Sequence, residues 1–512
     1  MAWDSDGRSP LPNFRDWVPE WARVLLYAVF LVSFQFTNGM YFTAFEQMKG
    51  GMGLAGADVS MMGQTVLIGL SFYFPLAFRL KFRFPNKWNL IIAASVQILC
   101  NVIFPHLTTM PGRLVICYLG GFCRLYGTFE CFSNLLGVIT PTYDYGVFLS
   151  VVFFIVLGCI NVFDWVQIRI IDNFGWAAMH TAAIACLLLV IVLALLFMKT
   201  VHAVGKMPLY GINWLGMVLW SIFIISLIYV FCYGSQYGWL ASPRIRIALG
   251  VALFCLAYGI WAMYHLRHPF IHKEAFQMRN FWKFLGIFLI LDILLSTQTV
   301  LQNTFCSAVM GMDYIALSNL KWLDFAGEGL GALFCYLALT RWKIHTRALT
   351  AIGLGCVLAY TIMMHFLISP TTPTGALALP LILCGFGHVT VFIVLTVYVQ
   401  ANANFTYYFE MICLLGFIRT GVGGPIGDAL FEHSMTALMP YDGLFGTLRE
   451  LYGFAALIGT VAVAVILLTR FKGISSSFAP RLRKIYDSVR DITDLESIKR
   501  KRKSLNKAQA EH

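Results

Sequence analysis

Apolar residues run along this chain in long unbroken blocks separated by short polar breaks. Fourteen blocks are long enough to matter, at approximately 22–45, 59–80, 88–106, 112–138, 145–171, 174–199, 211–233, 244–266, 282–308, 314–340, 347–369, 375–400, 405–432 and 449–470. A helix needs about 20 mostly apolar residues to cross the hydrocarbon core of a bilayer. Lipid offers the backbone no hydrogen bonds, so a spanning segment is either a helix or a strand of a closed barrel. Barrel strands alternate in segments of about ten residues, and these blocks do not alternate. The pattern therefore predicts an all-α integral membrane protein with fourteen spans.

The polar breaks predict its orientation. Four alternate loops carry Arg79, Lys81, Arg83 and Lys87, then Lys199 and Lys206, then Arg267, Lys273, Arg279 and Lys283, then Arg341, Lys343 and Arg347. The opposite loops hold only Lys49, Arg113, Arg169, Arg244, Arg246 and Arg449. By the positive-inside rule both termini lie in the cytoplasm of an inner (plasma) membrane protein, as an even span count also requires. Trp17 and Trp21 precede the first span as interfacial anchors do. The first apolar block is too long for a signal-peptide core, so it is expected to remain as a span.

Composition agrees. Charged residues make up 12% of the 512, against 59% hydrophobic, whereas a soluble chain carries about a quarter charged residues. The segment from Phe471 onward holds eleven Lys and Arg against five Asp and Glu, and so supplies six of the twelve net positive charges. Such a tail reads as an anchor beside anionic headgroups rather than as a nucleic-acid contact. The thirteen cysteines are scattered through apolar runs without metal-ligand spacing, so they read as packing residues and no metal or cofactor is expected.

Local motifs narrow the class. Residues 211–282 contain Asn213-Trp-Leu-Gly216, Gly234-Ser-Gln-Tyr-Gly-Trp239, Arg267-His-Pro269 and Arg279-Asn-Phe281. They resemble the extra helix pair of the fourteen-span, EmrB/QacA-type drug–proton antiporters of the major facilitator superfamily. Residues 78–88, FRLKFRFPNKW, and 341–347, RWKIHTR, are similar to that superfamily's paired basic loops. Arg124-Leu-Tyr-Gly127 resembles its intramembrane Arg motif, and 417–430, FIRTGVGGPIGDAL, its glycine-rich penultimate span with Arg419 in register. Three departures stand out. Phe78, Phe82 and Pro85 replace Gly, Asp and Gly in the first loop, Asp164 stands where span five should carry the Pro of a Gly-Pro signature, and Thr37-Asn38 replaces the acid of span one.

The resemblance implies a major facilitator fold of two six-helix bundles, at 22–200 and 281–472. An inserted helix pair at 201–280 would separate them, flanked by an N-terminal segment at 1–21 and the basic tail at 473–512. It also implies a central cavity opening alternately to each side, gating loops bearing Arg79, Arg83, Arg341 and Arg347, and a periplasmic adaptor with an outer-membrane channel as partners.

Ionised side chains inside a span cost about 2.5–3.5 kcal/mol each on insertion scales, so those present are the candidates for chemistry. They are Arg124 and Glu130 in span four, Asp164 in span five, Asp292 in span nine, Lys321, Asp324 and Glu328 in span ten, and Glu410 and Arg419 in span thirteen. Lys321, Asp324 and Glu328 share a helix face. Two carboxylates so close resist simultaneous ionisation, and an antiporter needs a carboxylate that loads and releases a proton; Lys321 in a static ion pair is the alternative. Arg124 either holds a proton-carrying carboxylate, attracts an anionic substrate, or pairs structurally with Asp164 or an acid of the other half. Asp292 reads as an isolated acid, either protonated and neutral or a cavity-facing carboxylate, and His180, His365 and His388 as lone histidines that either pack or relay protons. Gln298 and Gln302, like Gln97 and Asn101, either line a substrate path or tie helices together, and Asn38 is a further cavity candidate.

Three functions are weighed on these features. Proton-coupled export of amphipathic organic compounds follows the resemblance. Uptake or facilitated passage of a specific nutrient follows the departures in spans one and five. A membrane-embedded transferase would need an acid, His or metal cluster on a polar loop, and the longer loops around 46–58 and 433–448 carry none.

Overall fold

The computed structural model describes residues 11, 13–37, 53–140, 144–201, 209, 212–277, 281–403 and 407–469. Among them the secondary structure is helical, apart from turns and isolated bridge positions such as that between Phe14 and Met198. Among the described residues, ten helices are long and apolar enough to cross a membrane. Two of these, Tyr145–Phe197 and Tyr408–Leu468, span 53 and 61 residues. At about 1.5 Å per residue both far exceed a hydrocarbon core of about 30 Å. Each is a pair of helices merged across a kink, at Gly175 (φ 78°, ψ 178°) and Gly443 (φ 68°, ψ 174°).

Dividing those two, and adding the shorter Glu20–Phe36 and the more polar Met110–Ile139, yields the fourteen expected passes. In chain order they are α1 (Glu20–Phe36), α2 (Gly56–Arg83), α3 (Asn86–His106), α4 (Met110–Ile139), α5 (145–174), α6 (176–197), α7 (Trp214–Tyr237), α8 (Pro243–His265), α9 (Phe281–Val309), α10 (Tyr314–Thr340), α11 (Thr346–Leu367), α12 (Ala378–Asn402), α13 (408–442) and α14 (444–468).

One expectation is corrected here. Residues 433–448 are not a loop: α13 continues past Pro440 and α14 begins directly after Gly443. The two glycines adopt a backbone region open essentially only to glycine, which lets the chain turn without a connecting loop. A Cβ added at either would meet nothing within 4 Å, so a substitution there tests the backbone alone. Gly443→Ala should cost about 1–3 kcal/mol and lower the melting temperature of the purified protein; an unchanged melting curve would show that the turn tolerates a side chain.

Local sequence sets several helix starts. Asp144, Asn213 and Asp313 each accept a hydrogen bond of 2.8 Å from a backbone N–H of the first turn, satisfying a donor that has no partner within the helix. Proline occupies the first turn of α4 and α8, where its missing N–H costs nothing.

The helices pack as two groups with a pair between them. In the first, α2 and α3 pack on α4, while α1 packs on α4 and on the α5–α6 hairpin. In the second, α12 packs on α10 and α11, and the α13–α14 hairpin on α9 and α11. The α7–α8 pair leans through α7 on α2 and on the α13–α14 hairpin. Two seams join the groups: α2 meets α13, with Phe72 and Phe417 4.6 Å apart, and α5 meets α10, where Trp165 and Arg169 donate to Asn319.

Small residues permit the closest approaches. A Cβ at Gly327 or Gly385 would collide with the backbone of the facing helix, at 2.2 Å from the Ile382 oxygen and 2.5 Å from the Asp324 oxygen. The α10–α12 crossing is therefore set by glycine.

Candidate functional site

The α5–α10 seam and the helices behind it carry a connected set of ionisable side chains. On α10, Lys321 Nζ stands 4.0 Å from Asp324 Oδ2, and Asp164 of α5 and Glu328 also act on it electrostatically. The Lys321 side chain is 39% accessible while that of Asp324 is 8%. Gln298 of α9 donates to Asp324 at 2.8 Å. One turn further along α10, Glu328 accepts from Asn161 of α5 at 2.8 Å. Its other oxygen lies 3.7 Å from Nδ1 of His388 on α12.

The chain continues into α13. Arg419 Nη2 is 3.0 Å from His388 Nε2, and Arg419 Nε donates to Asp292 Oδ1 of α9 at 3.2 Å. A guanidinium can only donate, so Nε2 of His388 is the acceptor, the ring is neutral, and its proton sits on Nδ1 facing Glu328. The guanidinium also lies 4.2 Å over the Phe392 ring.

π-helical turns carry two of these side chains. Gln298 and Gln302 fall in the π segment Thr297–Gln302, and Arg419 in Phe417–Gly423. Each such turn is a local insertion in the helix, a feature frequent at functional sites. Glycines keep α13 close: a Cβ at Gly423 would stand 2.9 Å from Asp292 Cβ, and one at Gly427 2.4 Å from Ser296 Oγ.

The structure therefore brings together five of the sequence candidates, Asp292, Asp324, Glu328, Arg419 and Gln298, with Asp164 beside them. Two readings are corrected. Asp292 is not isolated, because α13 carries Arg419 onto it, and His388 is not alone, because it bridges Arg419 and Glu328.

Other candidates lie elsewhere. Glu130 is fully buried among Lys81 (3.5 Å), Asn89 (3.1 Å) and Asn134 (2.8 Å). Gln302 accepts from Tyr360 at 3.0 Å inside the second group. Among the described residues Arg124 is not brought onto an acid as expected: its Nη2 donates to Gln35, and its Nε and Nη1 have no hydrogen-bond partner there. Gln97 donates to the Gly120 carbonyl and Asn101 to the Gln97 carbonyl, so this pair ties α3 to α4 and to itself. Arg83 and Arg341 are exposed, Arg347 donates to the Leu467 carbonyl at 3.4 Å, and Arg79 is partly buried. Asn38, residues 1–10 and the basic tail lie outside the described residues.

Glu410, at the start of α13, clasps the loop that follows α8. It accepts from the His272 backbone N–H at 2.7 Å and meets His272 Nδ1 at 2.8 Å. The hydrogen bond to Glu410 raises the His272 pKa from its ordinary value against the opposing cost of burial; Glu274 adds to the rise and Arg79 subtracts from it. A histidine whose pKa is higher folded than unfolded stabilises fully below about 6.5 and loses that contribution as pH climbs through the folded value. Thermal stability should thus fall between mildly acid and alkaline pH, and His272→Gln should remove that part of the slope. Parallel slopes in both proteins would count against the clasp.

No family model and no curated protein matches the sequence. Solved structures do match the fold. An auto-inhibited POT family peptide transporter aligns over 88% of this chain and 98% of its own, with TM-score 0.56 and 14% identity. A mutant of the nucleoside transporter NupG aligns over 87% and 99%, with TM-score 0.55 and 12% identity. The major facilitator superfamily proton:xylose symporter XylE, bound to 6-bromo-6-deoxy-D-glucose, aligns over 90% and 98%, with TM-score 0.54 and 13% identity. The chain has the major facilitator fold.

Within that fold the sequence reading missed three side chains. Asn161 and His388 complete the network from α5 and α12. Asp428, which accepts from Thr299 at 2.9 Å, adds an acid beside α9. A polar residue in a mostly apolar helix is a signal shared by many packing residues, and the facing helix supplies the partner.

Proposed function

We propose that this chain is a secondary active transporter that couples proton movement to the passage of a small organic solute by alternating access between its two helix groups. One observation carries the reading: the Asp292–Arg419–His388–Glu328–Asn161 chain ends on a contact across the α5–α10 seam, with Asp324 and Lys321 beside it. Rearranging that seam would separate Glu328 from Asn161. Protonating Glu328 would neutralise the anion that faces the His388 N–H. Either event alters the hold of one helix group on the other, and coupling requires that link.

Export of amphipathic organic compounds is the direction favoured by the resemblance of the inserted pair, the glycine-rich α13 and the aromatic content. The basic loops would then face the cytoplasm of an inner membrane, and an adaptor with an outer-membrane channel rests on the resemblance alone. Uptake is the second reading. Asp164 and Thr37 in place of the antiporter pattern favour it, as do solved neighbours named for a nucleoside, peptides and xylose.

Proteoliposomes loaded with a pH-sensitive dye test both. Ethidium, tetraphenylphosphonium, a sugar, a nucleoside and a dipeptide would be added in turn under an imposed pH gradient. Proton movement opposite to that of an amphipathic cation is expected for export, and co-movement with a nutrient for uptake. If no solute moves protons, the coupled reading fails.

A further inference from the structure

A second site lies at the membrane face where α1 and α3 begin and α6 ends. The N-terminal segment crosses this face and is stitched to the end of α6 by its backbone. Arg15 N–H donates to the Phe197 carbonyl at 2.9 Å, and Lys199 N–H to the Asn13 carbonyl at 2.8 Å. That stitching sets Arg15 beside Lys87, the second residue of α3. Both side chains reach the carbonyls at the end of α6. Lys87 Nζ donates to Leu195 at 3.2 Å and to Met198 at 3.4 Å, and Arg15 Nη2 to Leu195 at 3.5 Å.

A cation at a helix C-terminus complements the helix dipole, which accounts for one of the two. The second repels the first. Among the described residues neither is paired with an acid, and Asp16, next to Arg15 in the chain, is taken by Lys199. Arg15 is exposed and Lys87 partly buried, so the pair presents two positive charges to an anion from outside. The surroundings suit a lipid. Trp17, whose ring lies 5.2 Å from that of Phe197, is exposed, as are Trp21 and Trp88, and tryptophans so placed sit at headgroup level. Leu188, Val192 and Leu195 of α6 are exposed too. At spacings of four and three they form one ridge, which ends on the residue whose carbonyl both cations share. Free phosphate would use the cations and leave the tryptophans and the ridge idle.

We propose that Arg15 and Lys87 bind the headgroup phosphate of an anionic phospholipid whose acyl chains lie on the α6 ridge. The site does not depend on the transport reading, and its test measures binding rather than flux. Purified full-length protein in a neutral detergent would be supplied with phosphatidylglycerol or with phosphatidylcholine. The melting temperature and the lipid retained in native mass spectrometry would both be read. Phosphatidylglycerol should raise the melting temperature and stay bound, and phosphatidylcholine should do neither.

Arg15→Gln alone, at an exposed position that the fold does not need, should weaken phosphatidylglycerol about fivefold. Arg15→Gln with Lys87→Gln should weaken it about thirtyfold, as loss of two basic residues at headgroup level does. Arg244→Gln with Arg246→Gln removes the same charge from the start of α8, at the opposite face, and should bind as the wild type does. The proposal is overturned if phosphatidylcholine stabilises as well, if Arg15→Gln responds like the wild type, or if the α8 pair weakens binding as much as the Arg15 and Lys87 pair. Glycerol 3-phosphate matching phosphatidylglycerol at equal concentration and ionic strength would overturn it in favour of a free-phosphate site.

Discussion

Glu328→Gln is expected to abolish proton-driven accumulation of solute while solute exchange without a gradient continues. Glutamine preserves the shape of the side chain, and its carbonyl can still accept from Asn161, the 2.8 Å contact that crosses the α5–α10 seam. What it removes is ionisation. Moving one proton across one pH unit supplies about 1.4 kcal/mol, a tenfold accumulation, so the variant's accumulation ratio should fall to near one under a gradient that gives the wild type about ten. Asp324→Asn and Asp292→Asn belong in the same experiment. Asp324 is a counter-charge 4.0 Å from Lys321, and Asp292 anchors the arginine that fixes the His388 tautomer. Wild-type accumulation in all three would remove this network from the proton path even if transport itself is confirmed.

The fourteen passes were legible because hydrocarbon imposes one rule on every span: enough apolar residues, with the backbone satisfied internally. That rule also fails locally where it should. Residues 433–442, which include His433, Ser434, Thr436, Pro440 and Asp442, read as a loop, yet α13 runs through them to the turn at Gly443. Several members of the candidate network also stood out in the sequence, since an ion in a span demands an explanation.

Their partners were not legible. Asp292 sits among Leu and Ile in the sequence, and its arginine comes from 127 residues away. The π turn that carries Arg419, and the close approach of α9 to α13 at Gly423 and Gly427, are features of the packed helices. Charge alone did not separate Glu328 from Glu130 either. Both are buried acids of membrane helices, but one ends on a seam between helix groups and the other is enclosed within a single group.

That difference makes Glu130 the counterpart experiment. Its carboxylate accepts from Asn89 and Asn134 and pairs with Lys81, whose side chain is only 9% accessible and also donates to Ser133 at 2.5 Å. Asn134 in turn accepts from Asn86 and from Asn13 of the N-terminal segment, which is held down by buried Leu11, Phe14 and Val18. Glu130→Leu would leave the lysine buried without a counter-charge, and breaking such a pair costs about 3–5 kcal/mol. The melting temperature should drop sharply, and the N-terminal segment should become sensitive to protease. Adding Lys81→Met should restore most of the stability, because an apolar pair of similar volume can replace a buried ion pair at little cost. Whatever fraction of Glu130→Leu folds should keep the proton-to-solute ratio of the wild type. Loss of coupling with unchanged stability would instead place Glu130 on the proton path, and would mean that burial within one helix group does not exclude an acid from it.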